Sequence, residues 1–278
     1  MPIVNQGAGP HIHSKDSIPR IMWTVLLSLV PAVGAAPFVS GFPAFRVLVV
    51  ASSSAILAEM GAQKILGRRP SVYDGSAFVT ALLFALFLPP HLASWKVALG
   101  AAFGIIFGKQ VFGGLGQNPF NPALVGCAFV FAAFSSSRDF SLDSAATAQS
   151  LPLAAGVLGG GLFLLLKGRV HWEIPLLYLA GYVLLSLASG PGEKGNAIFW
   201  PLLLAAFFMV TDPVTTPLTR MGEQWFALGA GVLSALFTIS STPFEGITCA
   251  ILLMNAVNPW LDRQFRPSGG KKALGLFG

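Results

Sequence analysis

Charge is what this chain has least of. Asp, Glu, Lys and Arg make up 10% of its 278 residues, against about 25% in an ordinary soluble domain, which excludes a conventional water-soluble globule. Cysteine is nearly absent. Cys127 and Cys249 each sit inside an apolar run with no cysteine or histidine close by, so two buried core thiols are expected rather than a disulfide or a metal pair. No iron–sulfur cysteine set exists either, and no GxGxxG stands between a strand-like and a helix-like stretch, so this chain carries no dinucleotide-binding unit of that kind. A soluble basic face is missing too. The net charge of +6 and pI near 9.6 fit Lys and Arg flanking membrane spans, and no nucleic-acid partner is expected. The first 20 residues are polar and contain Pro10, His11 and Asp16, so the first span, and no removable signal peptide, is expected to direct insertion.

What remains is apolar. Hydrophobic residues form 54% of the chain and mean hydropathy is +0.71, the composition of an all-α integral membrane protein. At roughly 20 residues per span, the apolar runs at 21–39, 44–62, 76–88, 96–113, 119–134, 152–166, 174–189, 197–211, 224–240 and 244–260 predict ten transmembrane helices. Several runs are short or broken, as at Leu88-Pro89-Pro90 and Asp212-Pro213. A bilayer tolerates such breaks only where protein or a cavity covers the freed backbone groups, the pattern of a transporter-like core. With the N-terminus inside, only Arg46, Lys96, Arg138 and Lys194 fall in outside segments and all other Lys and Arg fall inside, so both termini are expected in the cytoplasm. The single membrane domain 1–278 then reads as a cytoplasmic segment 1–20, a first helical half 21–134, an extracytoplasmic loop 135–151, a second half 152–260 and a cytoplasmic tail 261–278. A faint repeat joins the halves. Pro119-Phe120-Asn121 matches Pro243-Phe244-Glu245 at an offset of 124, as Phe84 and Pro89 match Phe208 and Pro213. Five helices per copy require the second copy to be inverted, with a functional site expected between the copies.

Few residues can carry chemistry. Loop Ser135–Ser150 places Ser144 and Thr147 among small residues beside Asp143, open to a modifying enzyme or simply suited to close helix packing. Glu59, Asp74, Lys109, Asp212 and Glu245 lie within or at the ends of apolar runs, where an unpaired charge costs several kcal/mol. Asp74 and Asp212, on the third and eighth runs, form the better pair of ion-path candidates. A cap or an interfacial position is the plainer role for each. Asn118-Pro119-Phe120-Asn121-Pro122 supplies amide groups at a broken helix start, either for a ligand or as turn chemistry. His11 and His13 have only Asp16 as a further ligand and make a weak metal site.

The run Asp74-Gly75-Ser76-Ala77-Phe78-Val79-Thr80-Ala81-Leu82-Leu83, ending at Leu88-Pro89-Pro90, resembles the third-helix region of the RnfD/NqrB family of membrane electron-transfer subunits. Lys109-Gln110-Val111-Phe112-Gly113-Gly114-Leu115-Gly116-Gln117-Asn118-Pro119-Phe120-Asn121-Pro122-Ala123 is the most specific match. Pro10-His11, Thr211-Asp212-Pro213 and Leu252-Leu253-Met254-Asn255 are similar too, and the compact length resembles RnfD more than NqrB. The resemblance implies a urea-transporter-like fold of two inverted five-helix repeats in the cell's inner (cytoplasmic) membrane. It further implies one subunit of an ion-pumping complex passing electrons between ferredoxin and NAD, with RnfA, RnfB, RnfC, RnfE and RnfG as partners and lipid around it.

The family carries FMN through a phosphoester on the threonine of a [ST]-[GS]-A-T motif, attached by a flavin transferase. Carried over, Ser144 takes the first position, Ala146 the third and Thr147 the attachment point. Ala145 departs from the usual Gly or Ser, and Asp143 lies four before the threonine where the usual aspartate lies six before. Arg138 would neutralise the flavin phosphate or stay a solvated loop charge. A second, non-covalent flavin such as riboflavin is also implied, with Asn118 and Asn121 as candidate contacts. The rival readings are a channel for a small polar solute, an NqrB-like subunit of a sodium-pumping NADH:quinone oxidoreductase, and a structural anchor for a flavoprotein.

Overall fold

A computed structural model describes residues 17–134, 150–188 and 199–265. The described residues are helical with no strand, as the composition predicts. α1 runs Ile18–Ile65, but Gly41 breaks it with φ 66° and ψ −151°, a conformation open essentially to glycine alone. The break falls between the first two apolar runs, so α1 is two rods. Pro43 opens the second, where a missing N–H costs nothing.

α2 (Ser76–Leu86) follows the left-handed Gly75 and stops before Pro89-Pro90. With 11 residues at 1.5 Å each it reaches about 16 Å, roughly half a bilayer's hydrocarbon core. Phe87, Leu88 and Leu92, just beyond it, are buried in protein. The carbonyls freed there receive Arg46, whose Nη2 donates to Leu92 O at 2.9 Å and Pro90 O at 3.4 Å. An arginine counted against the cytoplasmic bias thus satisfies a broken helix end.

α3 (Ser94–Ile105) continues into a π-helical turn, Ile106–Gln110, and α4 spans Pro122–Phe134. In the second half α5 is Ser150–Leu166, α6 Glu173–Ala188 and α7 Phe199–Leu204, the last continuing as a π turn, Ala205–Met209. α8 is Arg220–Ser240 and α9 Pro243–Gln264.

α1 packs on α2, α3 and α5, α3 on α4, and α8 on both α6 and α9, while α4 meets α9 across the halves. Small residues make these approaches close. A methyl on Gly160 would sit 2.0 Å from Ser28 O, and one on Gly231 2.1 Å from Tyr178 O, the kind of backbone contact on which helices associate in lipid. Leu29, Phe84, Phe87, Leu204, Met209 and Phe226 fill the core. Many large apolar side chains face outward, among them Phe38, Phe42, Leu57, Leu187, Trp172 and Trp260, far more than a soluble monomer exposes.

The fold departs from the sequence reading in several places. Among the described residues the one stretch by length and composition able to cross a membrane is Ile18–Ile65, the two rods of α1, while Ser76–Leu86, Pro122–Phe134, Leu151–Leu166 and Glu173–Ala188 are short apolar helices, as the short runs there suggested, so ten full spans are not seen. The proline match of the proposed repeat does not hold in register. α4 opens at Pro122 and α9 at Pro243, an offset of 121 instead of 124, so Pro119-Phe120 precedes its helix while Pro243-Phe244 begins one. Cys127 is buried as expected, but Cys249 is exposed on α9, because the apolar outer surface accepts a thiol as readily as the core does.

Candidate functional site

A cavity of about 70 Å³ opens where the two halves meet. The start of α1 (Met22, Val25), α2 (Ser76, Val79, Leu83) and the π turn after α7 (Phe207, Phe208) give it apolar walls with one hydroxyl. Its polar groups are Lys109, Asn118, Asn121, Arg169, Thr211 and Asp212. Most of them sit on helix breaks, where the backbone departs from the regular ladder.

The π turn at Ile106–Gln110 closes with Val111 N–H donating to Ile106 O at 2.9 Å. Such one-residue insertions re-aim side chains and recur at functional sites. Here both Lys109 and Gln110 are buried. Lys109 Nζ lies 2.5 Å from Glu59 Oε1 and 2.6 Å from Ser76 Oγ. Glu59 Oε1 also accepts from Gln110 Nε2 at 2.8 Å and Gln63 Nε2 at 3.2 Å, while Glu59 Oε2 is buried without a partner among the described residues. Ser76 in turn donates from both its N–H and its hydroxyl to Asp74 Oδ1. Asp74 therefore satisfies the first amide of α2 and touches the cavity only through Ser76. Arg68 Nη1 donates to Gln110 O at 2.6 Å.

The second cluster joins the halves. Asn121 Oδ1 accepts the amides of Ala123 and Leu124 at 3.0 and 3.5 Å, capping α4 as an N-cap asparagine does. Its backbone N–H donates to Asn255 Oδ1 at 3.2 Å and its Nδ2 reaches Asp212 Oδ2 at 3.5 Å. Asp212 further accepts from Val214 N–H at 3.2 Å and Thr215 Oγ1 at 3.1 Å, and Asn255 Nδ2 donates to Thr215 O at 3.0 Å. Asn118 Nδ2 donates to Phe120 O at 3.2 Å, but its buried Oδ1 has no partner among the described residues. An orphaned acceptor of this kind costs about 1–3 kcal/mol, which a ligand N–H at the cavity would return.

Of the residues singled out from sequence, Asn118, Asn121 and Asp212 converge on one cavity, and Asp74 stands one hydrogen bond behind it. Asp74 precedes α2 whereas Asp212 follows the π turn after α7, so the two acids occupy opposite ends of their helices. Glu245 is a cap and not an ion ligand: it completes a capping box with Thr242, legible as a threonine three residues before a glutamate. Thr147, Ser144, Asp143 and Arg138, like His11 and His13, lie outside the described residues. Sequence reasoning missed the pairing of Glu59 with Lys109, and the parts played by Arg169, Thr215 and Asn255. Two opposite charges inside apolar runs were the available signal for the pair, since each requires a counter-charge.

The sequence profile of the NQR2, RnfD, RnfE family matches residues 5–155 and 138–270. Among curated proteins, the subunit designated D in the proton-translocating ferredoxin:NAD(+) oxidoreductase complex of Clostridium ljungdahlii is 32% identical over 310 residues, covering 94% of each chain. Its namesake in the Na(+)-translocating ferredoxin:NAD(+) oxidoreductase complex of Acetobacterium woodii is 32% identical over 291 residues, covering 92% of each. The namesake in the ion-translocating oxidoreductase complex of Pseudomonas aeruginosa is 33% identical over 328 residues, covering 95% of each. With a profile spanning nearly all of its length and relatives alike from end to end, this chain belongs to the NQR2, RnfD, RnfE family.

Proposed function

We propose that this protein is the membrane subunit of an Rnf-type, ion-translocating ferredoxin:NAD oxidoreductase that carries electrons through flavin. It works beside RnfA, RnfB, RnfC, RnfE and RnfG in the inner membrane, as two inverted five-helix halves with a urea-transporter-like plan and cytoplasmic termini. NADH oxidation belongs to partner subunits. Thr147 is esterified to FMN by a flavin transferase on the extracytoplasmic side, with Ser144, Asp143 and Arg138 around it. The cavity between the halves holds a second, non-covalent flavin. Ion movement, of Na⁺ or H⁺, passes by Asp212, with Asp74 at the approach.

The observation that carries the second-flavin reading is the cavity itself, apolar on its broad walls and edged by the unpartnered Asn118 Oδ1, Lys109 and Thr211. A flat ring with polar edges matches that lining. A bound flavin would supply one- and two-electron redox chemistry; the protein's contribution is placement and electrostatics. Asn118 Oδ1 accepts from a ligand N–H. Phe207, Phe208, Val79 and Leu83 exclude water, and Asn121 together with Asp212 fixes the edge where the halves join. The two relatives of equal identity are named for different ions, so overall likeness does not choose the ion and the residues along the path must.

Two measurements test the reading. On a denaturing gel under ultraviolet light, the protein from its native host should fluoresce, and Thr147→Val should be dark. Acid extraction of the native complex should release non-covalent flavin, which Asn118→Leu should diminish. A dark wild-type band together with solute flux in liposomes would make a passive channel the better account.

A further inference from the structure

Lys109 is a fully enclosed cation of the cavity wall. It is 1% exposed, as Glu59 behind it is 0% exposed. An ammonium has three N–H donors, and among the described residues Lys109 spends one on Glu59 Oε1 and one on Ser76 Oγ, leaving a third. The carboxylate facing it is not reserved for it. Glu59 Oε1 is shared with the amides of Gln63 and Gln110, which draw on the same negative charge. Ser76 hands its proton to Asp74 and so presents only its lone pairs to the lysine. Lys109 and Ser76 line the cavity whereas Glu59 does not. Within this pair the positive charge is the nearer to the cavity and the negative one stands behind it, both withdrawn from water, which therefore screens the difference little; Arg169 and Asp212, opposite in sign, line the cavity elsewhere.

From this geometry we infer that Lys109 sets the electron affinity of the ring bound in the cavity, favouring the state in which that ring carries an added electron. The inference rests on the reading of the cavity as a flavin site and adds to it the residue that tunes the flavin. When an electron enters the ring, no bond to Lys109 forms or breaks and the lysine keeps its proton. Its contribution is electrostatic, and greater than it would be in water because Lys109 is buried.

The test is a spectroelectrochemical titration, with dithionite and ferricyanide, of the assembled complex carrying Thr147→Val, so that the extractable flavin is followed without the covalent one. Lys109→Met should lower that flavin's midpoint, with the one-electron equilibrium shifting at least about tenfold, which is about 59 mV. Lys109→Arg keeps the charge and should hold the wild-type potential. Because Lys109→Met strands Glu59, the double variant Glu59→Gln/Lys109→Met is titrated beside it and should also fall. Flavin retained in wild-type amount with an unmoved potential in both methionine variants overturns the inference while leaving the flavin site standing. Absence of extractable flavin from the wild-type complex overturns the flavin-site reading, and this inference with it.

Discussion

The two polar clusters bordering the cavity are built on opposite plans. Around Lys109 a cation meets a carboxylate at 2.5 Å, and both belong to the first half of the chain. Around Asp212 a carboxylate meets neutral donors, Asn121, Val214 and Thr215, and the bond from Asn121 crosses from one half to the other. A paired charge is fixed in place by the large penalty for separating it. A carboxylate held by amides and hydroxyls has no partner to strand and is free to change its charge or its ligands. The difference separates a static source of field from a site suited to an ion. It also locates the joint: any relative movement of the halves loads the Asn121–Asn255–Asp212 bonds and leaves the Lys109 cluster intact.

Three substitutions sharpen that contrast. The largest effect is expected from Lys109→Met, which leaves Glu59 unpaired in the interior and should cost about 3–5 kcal/mol, seen as a lower unfolding temperature in detergent. The double variant with Glu59→Gln should recover most of that loss, and equal losses in the two would break the claim that this cluster is held by its charge pair. Asn255→Ala comes next. It removes the acceptor of Asn121 N–H and the donor to Thr215 O, leaving buried groups unsatisfied at about 1–3 kcal/mol. The smallest loss of stability, under about 1 kcal/mol, is expected from Asp212→Asn, whose oxygen still accepts from Val214. That same variant should abolish ion-coupled transport by the complex in proteoliposomes, more completely than Asp74→Asn, because Asp74 reaches the cavity only through Ser76. Transport unaltered in both variants would remove these acids from the path.

Much of the architecture was legible in composition. Apolar runs mark the helices because lipid leaves the backbone no other way to satisfy itself, and the break between residues 39 and 44 is where Gly41 turns the chain. The Asn118–Pro122 turn was readable as a site of amide groups, though not which amide would be left open. Neither π turn was readable, since Ile106–Gln110 and Ala205–Met209 have the composition of ordinary helix. The partnership of Glu59 with Lys109 spans 50 positions and exists only once α1 and the first π turn are packed together. The three-residue slip in the supposed repeat arose because proline suits both a turn before a helix and its first position, so residue identity alone did not fix the register. Arg46 looked like an exception to the charge bias until the carbonyls of Pro90 and Leu92 explained it.

The shortness of α2 has an electrical consequence. Its 11 residues, about half the hydrocarbon thickness in length, end among the buried side chains of Phe87, Leu88 and Leu92, so the negative end of its peptide dipoles lies within low-dielectric surroundings. A membrane voltage of about 100 mV does about 2.3 kcal/mol of work on each elementary charge that crosses it, whatever the distance. A charge displaced beside the cavity captures the share of that work set by the fraction of the voltage that drops along its path.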